Sequence, residues 1–172
     1  MWNSRFAAVL AGFGLAASIA VAAPAHPDVA VGDLVTLPEI RLLDGRVLPQ
    51  GYFKGKPVIV EYWASWCPYC SRQNPYLQKL WEQARDKGLE VLAVSIDRND
   101  ADAAAYLRKH GYTFPVAMET PALRQVLGKR KVIPYILVIK ADGKVAERIP
   151  GEMFEEDVLD LIKYAPAPGN AK

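Results

Sequence analysis

The chain has only two cysteines, Cys67 and Cys70, and they stand where an apolar run gives way to a helix pattern. Residues at this spacing lie on one face of a helix, so the two sulfurs can form a disulfide without unwinding it. Cys67 falls near the helix start, where unpaired N–H groups and the positive end of the helix dipole favour a thiolate. Cys67 is therefore the predicted nucleophile, exposed to partners. Cys70 is the predicted buried thiol that releases a partner from a mixed disulfide on Cys67.

Other roles for this cysteine pair fit the sequence poorly. A zinc site would need two further ligands at close spacing, and the two histidines, His26 and His110, are far apart along the chain. No metal site is predicted. A structural disulfide across so short a loop would constrain the unfolded chain very little. The pattern therefore favours a redox-active disulfide between Cys67 and Cys70.

Glu61 is an acidic residue inside the apolar run PVIVEYW, six residues before Cys67. A carboxylate on a buried strand costs free energy unless it is paired or protonated. One interpretation is a proton acceptor with a raised pKa beneath the two cysteines. The other is a strand-edge glutamate whose carboxylate reaches water or a lysine such as Lys54 or Lys56.

Ile133 and Pro134 immediately precede another apolar run. A proline is permitted at the start of a strand, and this is the simpler interpretation. The alternative is a cis peptide bond that places backbone polar groups beside the dithiol, where a substrate can pair with them. The predicted substrate-binding residues are Ile133 and the three residues that flank the cysteines, Trp66, Pro68 and Tyr69.

Composition limits the classes of protein that need be considered. The 172 residues suit one ordinary domain, and the 51% of hydrophobic residues exclude a wholly disordered chain. The 21 Lys and Arg nearly balance the 19 Asp and Glu, without a basic block along the chain. Binding to nucleic acid is therefore not predicted.

The amino-terminal residues 1–25 have the pattern of a secretory signal peptide. Arg5 precedes an uncharged apolar run from Phe6 to Ala25 that ends in small residues, with cleavage predicted after Ala22 or Ala25. The alternative is an uncleaved anchor over residues 6–25, because about 20 residues can just span a bilayer. Either way, residues 26–172 are expected to form a periplasmic or otherwise exported domain.

Strand and helix patterns alternate through this domain. Helices between strands argue for parallel pairs with right-handed crossovers, and Asp142-Gly143 predicts an antiparallel hairpin at one edge. The prediction is an α/β fold with a mixed central sheet flanked by helices and an N-terminal β-hairpin. The predicted strands cover residues 35–37, 40–43, 47–48, 57–63, 89–96, 114–118, 135–140 and 144–149, and the helices cover 68–88, 99–110, a short segment from 121, and 154–164.

These motifs together resemble the thioredoxin superfamily over residues 32–164. The stretch GKPVIVEYWASWCPYC is similar to the superfamily's strand-plus-WCxxC signature, and VIPYILVI is similar to its cis-proline segment. Pro75 matches the helix-kinking proline. The hairpin over residues 43–47 and the insertion over residues 99–118, which carries TFPV, resemble the exported TlpA/ResA-like branch.

The resemblance implies a thioredoxin fold and an exported thiol–disulfide oxidoreductase without a cofactor. It places Glu61 at the buried acid that shuttles a proton, and it makes Pro134 a cis-proline that shapes the substrate-facing surface. Gln73 stands where the family often has an acidic residue, so no role is carried over to it. The implied direction is reductive, as in cytochrome c maturation. An upstream membrane donor would supply electrons for envelope proteins such as apocytochrome c.

Two other functions are open for such a fold. A peroxiredoxin-like thiol peroxidase normally has Thr three residues before its reactive cysteine, where this chain has Ala64. A Sco-like copper-binding protein would want a wider cysteine spacing and a late histidine, and no histidine follows His110. Turnover of hydrogen peroxide and metal titration of the reduced protein distinguish these functions from disulfide exchange.

Overall fold

The computed structural model describes residues 28–167, which form seven strands and four α-helices. The predicted signal peptide or anchor, residues 1–25, lies outside the described residues. The strands are β1 Ile40–Arg41, β2 Val47–Leu48, β3 Val58–Trp63, β4 Glu90–Ser95, β5 Val116–Met118, β6 Tyr135–Ile139 and β7 Val145–Pro150. The helices are α1 Pro68–Ala84, α2 Asp100–His110, α3 Pro121–Leu127 and α4 Glu155–Asp160, with 3-10 segments at Arg85–Lys87 and Leu161–Tyr164. No helix among these is long and apolar enough to cross a membrane.

Five strands form the central sheet in the order β5-β4-β3-β6-β7, and β1 and β2 form a separate hairpin. β3, β4 and β5 are parallel, whereas β6 and β7 are antiparallel to their neighbours. The predicted α/β class, the mixed sheet and the N-terminal hairpin are confirmed. The predicted strand over residues 35–37 is wrong. Val35 and Leu37 are buried, but residues 35–37 belong to no strand, and the nearest bridge, between Leu34 and Lys144, precedes them.

The direction of β6 departs from the rule that strands separated by helices pair in parallel. β5 ends beside Ser95 and β6 begins opposite Tyr62, so the chain between them stays at one end of the sheet. Because the seven-residue helix α3 does not carry the chain back along the sheet, β6 must run antiparallel to β3. This same path brings Ile133 and Pro134 to the end of β3, close to the cysteines.

β3 is the centre of the core, and all six of its side chains are buried. Successive side chains of a strand point to opposite faces of the sheet. Ile59 and Trp63 belong to the same apolar cluster as Leu77 of α1, whereas Tyr62 belongs to the cluster on the other face. Glu61 shares the face of Ile59 and Trp63, and its carboxylate therefore lies beneath α1.

Candidate active site

Cys67 is the N-cap residue of α1. Its extended backbone, with φ −86° and ψ 116°, leads into the helix, and its Sγ accepts the Cys70 N–H at 3.3 Å. Pro68 occupies the first turn, where its missing N–H has no cost. The Cys70 N–H therefore points towards the Cys67 sulfur from the positive end of the helix dipole, an arrangement that favours negative charge on the sulfur.

The prediction that Cys67 is exposed is wrong. Only 3% of Cys67 is accessible, and Cys70 is completely buried. The Cys67 sulfur lies 3.7 Å from the Ile133 carbonyl oxygen, to which the Cys67 thiol donates a hydrogen bond. Ile133 packs against the apolar cluster that contains Cys67, and this contact contributes to the burial of the sulfur.

Both cysteines are free thiols in this structure, and they differ in their surroundings. Burial raises the pKa of the Cys70 thiol well above its ordinary value, and the hydrogen bond with Cys67 raises it further. Cys70 is therefore held in its protonated form. It needs a base before it can attack a disulfide.

Glu61 is completely buried, and burial raises the pKa of its carboxyl group to about 8. Gln73 donates a hydrogen bond to Oε1 at 3.0 Å, which partly opposes this rise, and Oε2 has no hydrogen-bond partner among the described residues. The strand-edge alternative is wrong, because Lys56 pairs with Glu90 at 3.2 Å instead. The charge of Glu61 is one of the causes of the raised Cys70 pKa, so the two groups interact electrostatically.

Gln73 is a site residue that the sequence analysis did not assign. Its Oε1 accepts the backbone N–H of Met153 at 2.7 Å. Because a backbone N–H can only donate, this contact fixes the amide orientation and directs the NH₂ group towards Glu61. Gln73 thereby determines that Oε1 of Glu61 accepts a hydrogen bond, leaving Oε2 to carry the proton. The available signal was its position three residues after Cys70, on the same helix face.

Asp97 was also missed, and it holds the loop that leads into Cys67. Its carboxylate accepts the Ser65 N–H at 3.1 and 3.2 Å, the Ser65 hydroxyl at 2.8 Å and the Ser95 hydroxyl at 2.7 Å. These bonds tie the loop before the cysteine to the end of β4. Cys67 is thus positioned by the ends of β3 and β4 as well as by its own helix.

The structure brings the predicted substrate-facing residues to one surface. The Ile133–Pro134 peptide bond is cis, and Ile133 is half-buried. Trp66 and Tyr69 remain 64% and 54% exposed, and Pro68 is also exposed. Trp66, Pro68 and Tyr69 adjoin the cysteines along the chain, and the Ile133 carbonyl oxygen contacts the Cys67 sulfur.

The described residues hold no group of three His, Cys, Asp or Glu side chains that could bind a metal ion. His110 instead stacks on Tyr112, with ring centroids 5.5 Å apart. His26 lies outside the part of the chain that the structure describes.

Comparison with known proteins places this geometry in a family. The family model described as Redoxin matches residues 30–162. The chain belongs to the Redoxin family. This redoxin is 31% identical over 123 residues to the thiol-disulfide oxidoreductase ResA of Bacillus thuringiensis (strain Al Hakam), covering 70% of each protein. It is 33% identical over 142 residues to ResA of Geobacillus thermodenitrificans, covering 78% of this chain and 79% of that protein.

Comparison with solved structures identifies the fold as that of thioredoxin family proteins. A thiol:disulfide interchange protein of the thioredoxin family from Chlorobium tepidum superposes with a TM-score of 0.71 and 25% identity, covering 81% of this chain and 99% of that one. The redoxin is therefore a thiol–disulfide oxidoreductase with a thioredoxin fold. Its resemblance to the ResA-like branch is confirmed.

Proposed function

We propose that this redoxin is exported and reduces disulfides of proteins in the cell envelope, with Cys67 as the nucleophile and Cys70 as the resolving thiol. The observation that carries the proposal is the difference between the two sulfurs. Cys67 caps the start of α1, whereas Cys70 is buried and held as a thiol. The Cys67 sulfur can therefore attack first, and the Cys70 sulfur can attack only after its thiol has lost a proton.

In the first step, the Cys67 thiolate attacks one sulfur of the partner's disulfide. A bond forms between the Cys67 sulfur and that atom, and the partner's own S–S bond breaks. The departing sulfur leaves with the electron pair and takes a proton from solvent. The Cys70 N–H, 3.3 Å from the Cys67 sulfur, stabilises the negative charge before the attack.

In the second step, Glu61 acts as the base for Cys70. A carboxyl group with a pKa of about 8 can give up and recover a proton near neutral pH. Glu61 accepts the Cys70 proton, and the Cys70 sulfur attacks Cys67. The partner leaves as a thiolate. Two electrons have then passed to the partner, and the protein holds a Cys67–Cys70 disulfide.

The partners are polypeptides that carry a disulfide or a reactive cysteine pair in the envelope, apocytochrome c among them. They bind over Trp66, Pro68, Tyr69 and the Ile133–Pro134 segment, whose backbone offers pairing groups to an extended chain. A membrane protein upstream returns the redoxin to its dithiol form, and the cycle uses no cofactor. Residues 1–25 direct the chain out of the cytoplasm as a signal peptide or hold it at the membrane.

A trapping experiment tests this proposal. Cys70→Ser keeps the size of the residue but removes the resolving nucleophile, so mixed disulfides on Cys67 persist. Envelope extract run on a non-reducing gel should show adducts on Cys70→Ser and none on the matched variant Cys67→Ser. Adducts on Cys67→Ser alone would reverse the assigned roles. Adducts on neither variant would contradict a protein substrate.

A further inference from the structure

A large groove opens beside the active site. It has a volume of about 1020 Å³, and its wall includes Trp66 and Ile133. Its charged lining is strongly biased, with only Asp28 and Glu119 against five cations: Arg124, Lys129, Arg130, Lys131 and Arg148. The whole chain carries a formal net charge of only +2, so positive charge is concentrated in this basic groove.

Three of the five cations are already paired. The Glu119 side chain is only 6% exposed and binds Arg130 and also Arg124, the latter at 2.5 Å. Arg148 binds Asp28 at 3.1 Å and donates to the Tyr135 hydroxyl. Lys129 and Lys131 make no ion pair within residues 28–167, and both are exposed.

The segment that carries Lys129 and Lys131 is held in place by Arg130, the residue between them. Arg130 is half-buried, pairs with Glu119, and lies over the Tyr62 ring with its guanidinium carbon 4.1 Å from the ring centroid. Burial alone would raise the pKa of Glu119, but hydrogen bonds from Arg130 and Arg124 hold it below its usual range. Glu119 therefore stays ionised and holds Arg130 in place, while Lys129 and Lys131 on either side of it are exposed and line the groove.

The lysines are within reach of a substrate bound at the dithiol. The Ile133 carbonyl oxygen is 3.7 Å from the Cys67 sulfur. Lys131 precedes Ile133 by two residues, a span of at most about 7 Å of backbone. Two exposed apolar side chains also line the groove: Trp66, which precedes Cys67, and Val132, which follows Lys131. An extended chain joined to Cys67 would therefore meet an apolar surface first and positive charge a few residues further on.

We propose that the basic groove selects partner polypeptides with acidic side chains within a few residues of the reacting cysteine, through Lys129 and Lys131. This proposal rests on the proposed reduction of protein disulfides and adds the substrate class. Charge complementarity of this kind acts mainly on the rate of encounter and on the choice of partner. Small neutral disulfides should gain nothing from the groove.

Synthetic peptides with one internal disulfide test the selection. The peptides are identical except that the residues flanking the cysteines are Glu, Gln or Lys, and reduction by the full chain in its dithiol form is followed by stopped flow. At low ionic strength the Glu peptide should react about tenfold faster than the Lys peptide, with the Gln peptide in between. Salt should shrink this ratio because it screens exposed charges.

A pair of double variants locates the effect. Lys129→Gln/Lys131→Gln should bring the Glu and Lys peptides to nearly equal rates and leave the Gln peptide unchanged. Lys87→Gln/Lys109→Gln removes the same charge from exposed lysines outside the groove lining and should keep the ratio. Equal rates for all peptides with the unmodified protein would overturn the selection but not disulfide reduction. An equal fall in the ratio of the Glu-peptide rate to the Lys-peptide rate in both double variants would do the same. Failure to reduce any peptide would overturn the proposed function, and the selection with it.

Discussion

Two glutamates near the dithiol have side chains that are almost inaccessible to water, and their properties are opposite. Glu61 lies in the middle of β3 and Glu119 follows the end of β5. Burial raises the pKa of Glu61 to about 8, because its one partner is the neutral amide of Gln73. Burial acts on Glu119 in the same direction, but Arg130 and Arg124 outweigh it and lower the pKa. The charge of the partner, more than burial itself, decides what a buried carboxyl group does.

The opposite pKa shifts suit Glu61 and Glu119 to two different roles near the dithiol. Beneath the dithiol, a carboxyl group that exchanges its proton near neutral pH can serve Cys70. Beside the dithiol, an ionised carboxylate anchors Arg124 and Arg130 and so shapes the basic groove. Exchanging the two environments would remove both functions, and substitutions at each position should therefore have opposite effects on stability.

Glu119→Gln should cause the larger change. Removing the carboxylate leaves the half-buried Arg130 without its partner, and such a loss costs about 4 kcal/mol of unfolding free energy. The folded pKa of Glu119 is lowered, so its contribution is present above the unfolded value of about 4.3 and is lost as pH falls through the lowered value. Urea unfolding at pH 7 measures the effect.

The exposed pair of Glu155 and Lys79 provides the control for that measurement. Glu155→Gln removes an ion pair of 2.5 Å whose side chains are 40% and 51% exposed. The loss should stay below about 1 kcal/mol because water screens the pair. Equal losses for the two variants would mean that the Glu119 carboxylate does not anchor the groove.

Glu61→Gln should act in the opposite direction. The folded pKa of Glu61 is raised, so the wild-type fold loses stability as pH climbs from about 4.3 towards about 8. The amide resembles the protonated acid and cannot ionise. The variant should therefore be more stable than wild type by about 3 kcal/mol at pH 7 and no more stable below pH of about 4. It should also resolve mixed disulfides more slowly, as single-turnover release of a partner would show.

Gln73→Met should have the smallest effect on stability. The Met153 N–H loses its acceptor, which costs about 1–2 kcal/mol. The hydrogen bond that lowers the pKa of Glu61 is also lost, so the pH profile of partner release should move to higher pH. Gln78→Met is a matched control on the same helix, because Gln78 accepts the Thr113 N–H at 2.8 Å but does not contact Glu61. A purely structural role for Gln73 would lower stability in both variants and leave both pH profiles in place.

The features that could be predicted from the sequence are local ones. The spacing of Cys67 and Cys70, at the junction of an apolar run and a helix, was sufficient to predict the helix start and the dithiol. Glu61 was recognisable because a charged residue inside a buried strand has few explanations. Helices were predicted to start at about residues 99 and 121, and the side chains of Asn99 and Thr120 cap α2 and α3 there.

The features that could not be predicted depend on contacts between distant segments. Gln73 acquires its role from Met153, which lies 80 residues further along the chain. The burial of Cys67 depends on the path of Ile133, 66 residues away, and that path follows from the direction of β6. A single sequence carries the residue types for these contacts but not the register that brings them together.

The central claim is that Glu61 exchanges its proton near neutral pH while Glu119 stays ionised. Carbon-13 NMR of the glutamate side-chain carboxyl groups in the reduced protein measures both at once, with Glu61→Gln and Glu119→Gln assigning the signals. Glu61 should titrate at a pH of about 8, and Glu119 should titrate below its usual range. Titration of Glu61 at its ordinary value of 4.5 would contradict proton exchange by Glu61 near neutral pH.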